Sequence, residues 1–357
     1  MNHEDPVLLH TRGRVRHIIL NRPRALNALN HAMVVRVDEA LADAERDDSI
    51  TAVLITGAGE RGLCAGGDIR SIHDDARAGG GTSLDFWRDE YRLNARIARF
   101  PKPYVAIMDG IVMGGGVGIS AHGDIRVVTE RSRIAMPETG IGFVPDVGGT
   151  HLLGAAPGEL GIHLALTADA VGAADALLCG LADRFVPSQR LAGLTAALAD
   201  CGTAAEIEET VRRYASPAPQ GELAAHREWI DSCYRADTVE EIIDRLDRSG
   251  VPAAKEAAEA ILGKSPTALK VTLSALRRAR GLGSLEAVLD QEYRTSCTAF
   301  TRPDLVEGVR AQIIDKDRDP RWSPASLAEV TEADVALFFA PLGDRELGLT
   351  AAPGATA

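Results

Sequence analysis

The sequence has few cysteines, an acidic rather than a basic balance, and no long uninterrupted apolar run. Its 357 residues include five cysteines that are widely spaced, with no C-x-x-C pair. This scatter excludes a disulfide framework and favours reduced thiols in a cytoplasmic protein. Lys and Arg number 39 against 51 Asp and Glu, and no basic block occurs. We therefore expect neither a nucleic acid nor an anionic membrane as a partner.

Several signatures of other protein classes are missing as well. The most apolar segment, residues 104–121, is interrupted by Asp109 and five glycines, so it is a poor membrane span. The opening MNHEDPVLLH has neither a secretory nor a transit pattern, which also favours the cytoplasm. There is no G-x-S-x-G, which excludes a serine-elbow thioesterase at the level of the motif. The nine histidines show no ligand spacing, so we expect no bound metal.

The order of apolar patterns predicts an α/β protein with a helical C-terminal part. Strand-like runs, glycine-rich turns and helical patterns alternate up to about residue 190, and strand signals fade from Leu191 onward. We predict a core over residues 1–190, a helical region over 191–340 and a flexible tail over 341–357. Strands are predicted at 15–20, 51–56, 104–108 and 125–129, and helices at 32–45, 83–100, 204–214, 238–246, 253–262, 268–280 and 284–300.

The stretch over residues 102–149 contains the chemistry. The glycine triplet Gly114, Gly115 and Gly116 is costly in a regular element, and it suits a place where a ligand or another backbone comes close. Glu138 and Asp146 follow, each beside a proline and within apolar sequence. Amides aimed at a developing negative charge, together with acids in an apolar wall, are the components of acyl chemistry. A glycine-rich helix-packing site with two surface acids is the open alternative.

The same stretch contains a match to the dinucleotide fingerprint. Residues 116–121 fit G-x-G-x-x-A after a strand. A βαβ unit needs a crossover of a dozen or more residues, but Gly123 and Asp124 break the pattern and residues 125–129 already read as a strand. We therefore interpret the glycines without a nucleotide cofactor.

Three motifs in chain order resemble one family. LCAGGDI (residues 63–69), MDGIVMGGGVG (108–118) and MPETGIGFVPDVGG (136–149) resemble the enoyl-CoA hydratase/isomerase, or crotonase, superfamily. Within it, FWRDEYRLN (86–94) and EGVRAQIIDKDRDPRW (307–322) are most similar to 3-hydroxyisobutyryl-CoA hydrolases. The resemblance covers residues 15–322. It implies a crotonase-type α/β spiral of ββα units with an extended C-terminal helical region, and a homo-oligomer, since trimers are common in the family.

The resemblance also implies the roles of individual residues. The amides of Gly67 and Gly115 would form an oxyanion hole, and Glu138 matches the catalytic glutamate. Asp146 matches the second acid of the hydrolase branch, and Glu90 a residue that holds the hydroxyl end of the substrate. Coenzyme A would be part of the substrate, with no separate cofactor. Other substrate contacts are expected at Gly114, Arg24, Ala25, Leu26, Ala65, Gly66, Asp68 and Ile69, with Arg24 meeting a phosphate.

One departure from the family separates two activities. Hydratases of this family have a second glutamate at the position of Gly118 in this sequence. The implied function is therefore hydrolysis of a small branched 3-hydroxyacyl-CoA, namely 3-hydroxyisobutyryl-CoA in valine breakdown. An enoyl-CoA hydratase or isomerase is the alternative enzyme, and a non-catalytic acyl-CoA-binding protein is the third hypothesis. The sequence leaves Glu138 open as nucleophile or general base.

Overall fold

The computed structural model describes residues 5–350, so positions 351–357 of the predicted tail lie outside the described residues. Within the described range the strands are β1 Val7–Arg12, β2 Val15–Leu20, β3 Ala52–Gly57, β4 Gly62–Cys64, β5 Tyr104–Met108, β6 Ile111–Met113, β7 Ile125–Val128, β8 Arg133–Ala135 and β9 Arg184–Phe185. The helices are α1 His31–Arg46, α2 Ile69–Ala78, α3 Thr82–Ala98, α4 Gly115–Gly118, α5 Gly149–Gly154, α6 Leu160–Thr167, α7 Ala173–Leu178, α8 Leu191–Ala199, α9 Ala204–Tyr214, α10 Leu223–Tyr234, α11 Val239–Arg248, α12 Pro252–Leu262, α13 Pro266–Leu282, α14 Leu285–Phe300, α15 Pro303–Val309 and α16 Glu332–Leu337.

The chain forms two compact units, and each is assembled from separate stretches. The first unit comprises residues 5–68, Leu93–Ala135 and Ala170–Ala224. The second comprises Ile69–Arg92, Met136–Asp169 and residues 225–350. The predicted division at residue 190 stays a prediction.

The first unit is built on a six-stranded sheet in the order β1-β2-β3-β5-β7-β9. β1 is antiparallel to β2, and the remaining neighbours are parallel. β5 is buried along its whole length, as expected of a central parallel strand whose two faces are both covered. Val15, Leu54, Val105 and Val127 pack in one apolar cluster with residues of α8 and α9.

A second, three-stranded sheet in the same unit brings two of the predicted glycine segments to one edge. Its order is β4-β6-β8, and both pairs are parallel. Because neighbouring parallel strands end at the same edge, the segments that follow Cys64 and Met113 leave the sheet side by side. These segments carry the predicted glycines of residues 65–68 and 114–118.

The second unit is helical, and its longest helices have clear N-terminal signals. Ser265 and Ser284 cap α13 and α14 by accepting hydrogen bonds from the amides of Ala268 and Ala287. Pro266 occupies the first position of α13, where its missing N–H costs nothing. α14 is unusual because its buried residues include charged and polar side chains as well as apolar ones.

Most predicted elements are confirmed, and the elements that were missed are mainly the shortest strands and some helices. β2 and α9 have the predicted bounds, and α14 differs by a single residue. The pattern did not predict the two- and three-residue strands β6, β8 and β9, or helix α10. α4 has only four residues, which confirms that no crossover helix follows the glycine triplet. Within residues 5–350, none of the helices combines the length and the apolarity that crossing a bilayer requires.

Candidate active site

The glycine triplet forms the start of α4 in the first unit. Gly114 is the N-cap, with φ 48° and ψ −119°, a conformation that favours glycine. Gly116 packs against β4, because a methyl group there would lie 2.3 Å from the carbonyl oxygen of Cys64. Gly115 is the first residue of α4, so its N–H is one of the amides that a helix leaves without an internal acceptor. The geometry thus requires glycine at 114 and 116 and presents the amide of Gly115.

The segment after β4 presents a second amide in the same unit. Leu29 N donates to Gly66 O and Leu29 O accepts from Asp68 N, both at 2.8 Å. In a parallel bridge of this kind the N–H of the central residue, Gly67, points away from the partner. A methyl group on Gly66 would lie 3.7 Å from the amide nitrogen of Gly115, so the two segments are neighbours. The role of Gly67 and Gly115 as an oxyanion hole stays a prediction.

The two segments expected to meet coenzyme A run side by side in the first unit. Leu26 O accepts a hydrogen bond from Ala65 N at 3.0 Å, and Arg22 forms an ion pair with Asp68 at 2.8 Å. Arg24 is exposed in the 3-10 turn Pro23–Ala25. The exposed side chain of Arg24 suits a contact with a phosphate. The carboxylate of Asp68, in contrast, already forms an ion pair with Arg22. The contacts with coenzyme A stay predictions.

Three predicted acids are buried in the second unit. Glu90 is 2% exposed, Glu138 6% and Asp146 5%. Glu90 lies in α3, and Glu138 begins the 3-10 turn Glu138–Ile141, which ends at Gly142 with φ 70°. Among the residues that the structure describes, Oε1 of Glu90 and Oε2 of Glu138 have no hydrogen-bond partner. Buried polar atoms are ordinarily paired, so these two oxygens suit a ligand that the free protein does not supply.

Asp146, in contrast, is held by protein groups. The hydroxyl of Tyr91 donates to its Oδ2 at 2.7 Å, and the same hydroxyl lies 2.7 Å from the hydroxyl of Ser296. Glu90 and Tyr91 are consecutive in α3. The helix therefore contributes one unpaired acid and the donor that orients another.

Burial sets the ionisation of this cluster. Desolvation raises the pKa of Asp146 to about 7, while the hydrogen bond from Tyr91 opposes the rise. Desolvation, and then the negative charge of Asp146, raise the pKa of Glu138 and that of Glu90 well above the ordinary value. The negative charge of Asp146 therefore favours the protonated form of Glu138. Acids whose environments separate their pKa values can act as a proton donor and an acceptor.

Tyr91, Ser296 and Glu292 join this site without having been predicted from the sequence. Glu292 accepts hydrogen bonds from the amides of Gly148 and Thr150 in the segment after Asp146. The available signal was a polar face at helical spacing: Glu292 and Ser296 lie one turn apart within an otherwise apolar stripe of α14. Buried acids and hydroxyls in such a stripe indicate a polar network.

Two further observations concern position 118 and possible metal ligands. Gly118 is the last residue of α4 and has no side chain to supply a carboxylate there. Within residues 5–350, no group of three His, Cys, Asp or Glu side chains is arranged to hold a metal ion.

Known proteins resemble the chain along almost all of its length. A family model described as enoyl-CoA hydratase/isomerase matches residues 15–339. The mitochondrial 3-hydroxyisobutyryl-CoA hydrolase of Rattus norvegicus is 42% identical over 348 residues, covering 96% of this chain and 90% of the relative. The protein of the same name from Homo sapiens is 41% identical over 350 residues, with the same coverage. Because these relatives are named as mitochondrial, the expected cytoplasmic location stays a prediction.

Solved structures show the same fold. A crystal structure described as a carnitinyl-CoA dehydratase from Mycobacterium thermoresistibile is 52% identical with a TM-score of 0.93, and the match covers 98% of this chain and 100% of that one. One described as an enoyl-CoA hydratase from Rhodobacter sphaeroides 2.4.1 is 44% identical with a TM-score of 0.90, covering 96% and 99%. The predicted crotonase-type α/β fold with a C-terminal helical region is confirmed. The chain belongs to the enoyl-CoA hydratase/isomerase family.

Proposed function

We propose that this chain hydrolyses the thioester of a small branched 3-hydroxyacyl-CoA, with 3-hydroxyisobutyryl-CoA as substrate. The observation that carries the proposal is Asp146, a buried acid held at 2.7 Å by Tyr91, in the same chain segment as Glu138 and with glycine rather than glutamate at 118. The names of the curated relatives support the same activity. A chain that only bound acyl-CoA would gain nothing from burying two acids with raised pKa values.

The reaction requires attack at the thioester carbon and departure of the thiolate. In our proposal the amides of Gly67 and Gly115 stabilise the oxygen as it gains negative charge, each contributing about 100- to 1000-fold in rate. Glu138 acts either as the nucleophile or as the base that takes a proton from water, and both roles require its carboxylate form. Asp146 receives the proton that Glu138 must lose.

The same acids complete the proton balance. As the carbon–sulfur bond breaks, the coenzyme A thiolate takes a proton from the Glu138–Asp146 pair. Water supplies the hydroxyl of the product acid in either mechanism. The raised pKa values keep a proton available in the pair at neutral pH, and the charge of Asp146 determines where it resides. In this proposal, thioester hydrolysis uses Asp146 to protonate the leaving thiolate. Addition of water to a double bond has no such leaving group.

Glu90 is proposed to select the hydroxylated acyl group. Its unpaired Oε1 is buried, and it can accept a hydrogen bond from a substrate hydroxyl that lies beyond the thioester. A buried acceptor that pairs with a substrate hydroxyl disfavours an analogue without one, because the acceptor is then left unpaired. The proposed pathway is valine breakdown, with coenzyme A as part of the substrate, no separate cofactor and a homo-oligomer as the assembly.

The test is a panel of acyl-CoA thioesters assayed for release of free thiol. The panel includes 3-hydroxyisobutyryl-CoA, its analogue without the hydroxyl group, 3-hydroxypropionyl-CoA and a long-chain acyl-CoA. We expect the two short hydroxylated thioesters to be hydrolysed fastest. Equal rates across the panel, or no thiol from any member, would contradict the proposed substrate class.

An enoyl-CoA hydratase is the second candidate. It is favoured by the descriptions of the two solved structures, a dehydratase and a hydratase at 52% and 44% identity. Hydration needs an acid pair that positions water for attack on the β-carbon, and Gly118 cannot supply the second member of that pair. Asp146→Gly should therefore lower thiol release without producing an efficient hydratase.

A further inference from the structure

Glu292 of α14 is a buried acid to which the proposed reaction assigns no step. Its Oε2 accepts a hydrogen bond from Gly148 N at 2.6 Å. Its Oε1 accepts from both Thr150 N at 2.8 Å and the Thr150 hydroxyl at 2.6 Å. Burial raises the pKa of Glu292 to about 8 in spite of these three donors. An acid at this place therefore costs stability when it is ionised, which calls for an explanation beyond packing.

Helix capping alone does not explain this arrangement. The donors are amides at the start of α5, whose N-cap is Gly148. Such amides are ordinarily satisfied by a short Ser, Thr, Asp or Asn side chain at the N-cap itself. Here the acceptor comes from a distant part of the sequence and is fully buried.

The segment that Glu292 holds begins directly after Asp146. Val147 has φ 52°, a conformation that is rare for a β-branched residue, and Gly148 has φ 79°. Gly149 N donates to Asp146 O at 2.6 Å and closes this turn. Strained backbone of this kind persists only when its surroundings hold it in place. The three hydrogen bonds to Glu292 provide that restraint.

The same face of α14 also reaches the side chain of Asp146. Ser296 lies one turn after Glu292, and residues at this spacing share a helix face. Its hydroxyl lies 2.7 Å from that of Tyr91, which donates to Asp146 at 2.7 Å. One face of α14 thus restrains Asp146 twice, through the backbone that follows it and through its carboxyl group.

We propose that Glu292 is a positioning residue that fixes the Asp146 carboxylate, with Ser296 as its companion one turn later. The effect on turnover rests on the proposed function, because it requires Asp146 to take part in catalysis. The effect on the geometry of Asp146 does not. Two kinds of measurement therefore separate a failure of this proposal from a failure of the proposed function.

The chain offers a matched control on the same helix. Asp290 is also buried in α14 and also accepts three hydrogen bonds, from Leu349 N, Thr350 N and the Thr350 hydroxyl. Glu292→Gln turns an NH₂ group toward backbone N–H donors, so the segment after Asp146 must move. We expect kcat for thiol release to fall about 10- to 100-fold with KM within about threefold, since a displacement of 1 Å can cost about 100-fold.

The control and a milder pair of variants exclude a merely structural effect. Asp290→Asn should leave kcat within about threefold of wild type even where it lowers the melting temperature as much as Glu292→Gln does. Thr150→Val should lower kcat, and Thr150→Ser should restore it, because serine keeps the hydroxyl that Glu292 accepts. Equal losses of kcat in Glu292→Gln and Asp290→Asn, or no rescue by serine, would overturn the proposal.

A crystal structure of Glu292→Gln gives a readout that needs no turnover. The proposal requires the Asp146 carboxyl to move away from its position 2.7 Å from the Tyr91 hydroxyl. An unchanged Asp146 in that structure would overturn the positioning role, whatever the substrate. Absence of thiol release by the wild-type enzyme, with Asp146 displaced in the variant, would instead reject the proposed function alone.

Discussion

The two units differ in the kind of polar group that they bury. In the first unit the buried polar side chains are neutral amides, hydroxyls and one histidine, His17, and the predicted oxyanion-hole groups are backbone amides rather than side chains. Among residues 5–350, all the buried Asp and Glu side chains belong to the second unit, namely Glu90, Glu138, Asp146, Glu159, Asp290, Glu292 and Asp304.

The acids of the second unit also differ among themselves. Glu159 is paired with Arg277 and Arg280, and Asp304 accepts from the hydroxyl of Ser265. Glu90 and Glu138, in contrast, each keep one unpaired oxygen. Burial alone therefore does not mark a catalytic acid in this chain. In our proposal, a buried acid that keeps an unpaired oxygen, as Glu90 and Glu138 do, marks a place where the substrate binds, because a ligand can supply the hydrogen bond that burial removed.

Among the changes that test this difference between paired and unpaired acids, Glu138→Gln should have the largest effect. The amide preserves the shape of the side chain but can act neither as a base nor as a nucleophile. We expect thiol release from 3-hydroxyisobutyryl-CoA to fall by about 1000-fold or more, with coenzyme A affinity retained. Glu159→Gln, which loosens an ion-paired acid of the same unit, should reduce stability rather than turnover. A Glu138→Gln enzyme with the wild-type rate would remove Glu138 from the mechanism.

Gly116→Ala tests the close backbone packing of the first unit, which buries no Asp or Glu among the described residues. The new methyl group would lie 2.3 Å from the Cys64 carbonyl oxygen, a rigid neighbour. We expect the free energy of unfolding to fall by about 1–3 kcal/mol, as for other overpacked sites. Gly81→Ala is the control, because nothing lies within 4 Å of a methyl group there. Urea denaturation of both variants measures the difference, and equal stability would contradict the close packing of α4 on β4.

Asp146→Asn should change how stability depends on pH. Burial raises the pKa of Asp146 from its ordinary value of 3.8 to about 7 in the folded protein, so the wild type loses stability as pH rises through this interval. Asparagine does not ionise and avoids the loss. Between pH 5 and pH 7 the free energy of unfolding of the variant, relative to wild type, should therefore rise by about 2 kcal/mol, given about 1.4 kcal/mol per pKa unit. A difference that stays flat or falls with pH would contradict the buried, uncompensated charge.

Glu90→Ala should have the smallest effect, and it should be confined to selectivity. Without the buried acceptor, the preference for 3-hydroxyisobutyryl-CoA over the analogue that lacks the hydroxyl group should fall about tenfold, the value of roughly one hydrogen bond. The measurement is the ratio of kcat/KM for the two thioesters. An unchanged ratio would leave Glu90 without a role in recognising the substrate.

How much of the fold the sequence predicted depended on the length of each element and on its local pattern. β2 was predicted with its observed bounds because apolar runs and Pro23 delimit it, and Gly114 to Gly116 stand out by composition alone. β6 and β8 have only three residues each, too few to show the alternating pattern of a strand, so the three-stranded sheet was not predicted. Local patterns therefore found the elements but not the second sheet.

Partners distant in sequence could not be predicted. Glu138 and Asp146 stood out as acids beside prolines in apolar sequence, and the family resemblance suggested their roles. Tyr91 and Glu292, in contrast, contact residues far along the chain. Tyr91 reaches Ser296 across 205 positions, and Glu292 reaches Gly148 across 144. No local periodicity encodes such pairs. Only the fold brings them together, which is why the network around Asp146 emerged from the structure.

In our proposal the acid at 146, together with glycine at 118, makes this family member a hydrolase. The most direct test compares two activities of one wild-type preparation: thiol release from 3-hydroxyisobutyryl-CoA and loss of the enoyl absorbance of crotonyl-CoA. We predict thiol release at an enzymatic rate, with hydration of crotonyl-CoA slow or absent. Rapid loss of the enoyl absorbance, with no thiol from any hydroxyacyl-CoA, would contradict the claim and favour the hydratase.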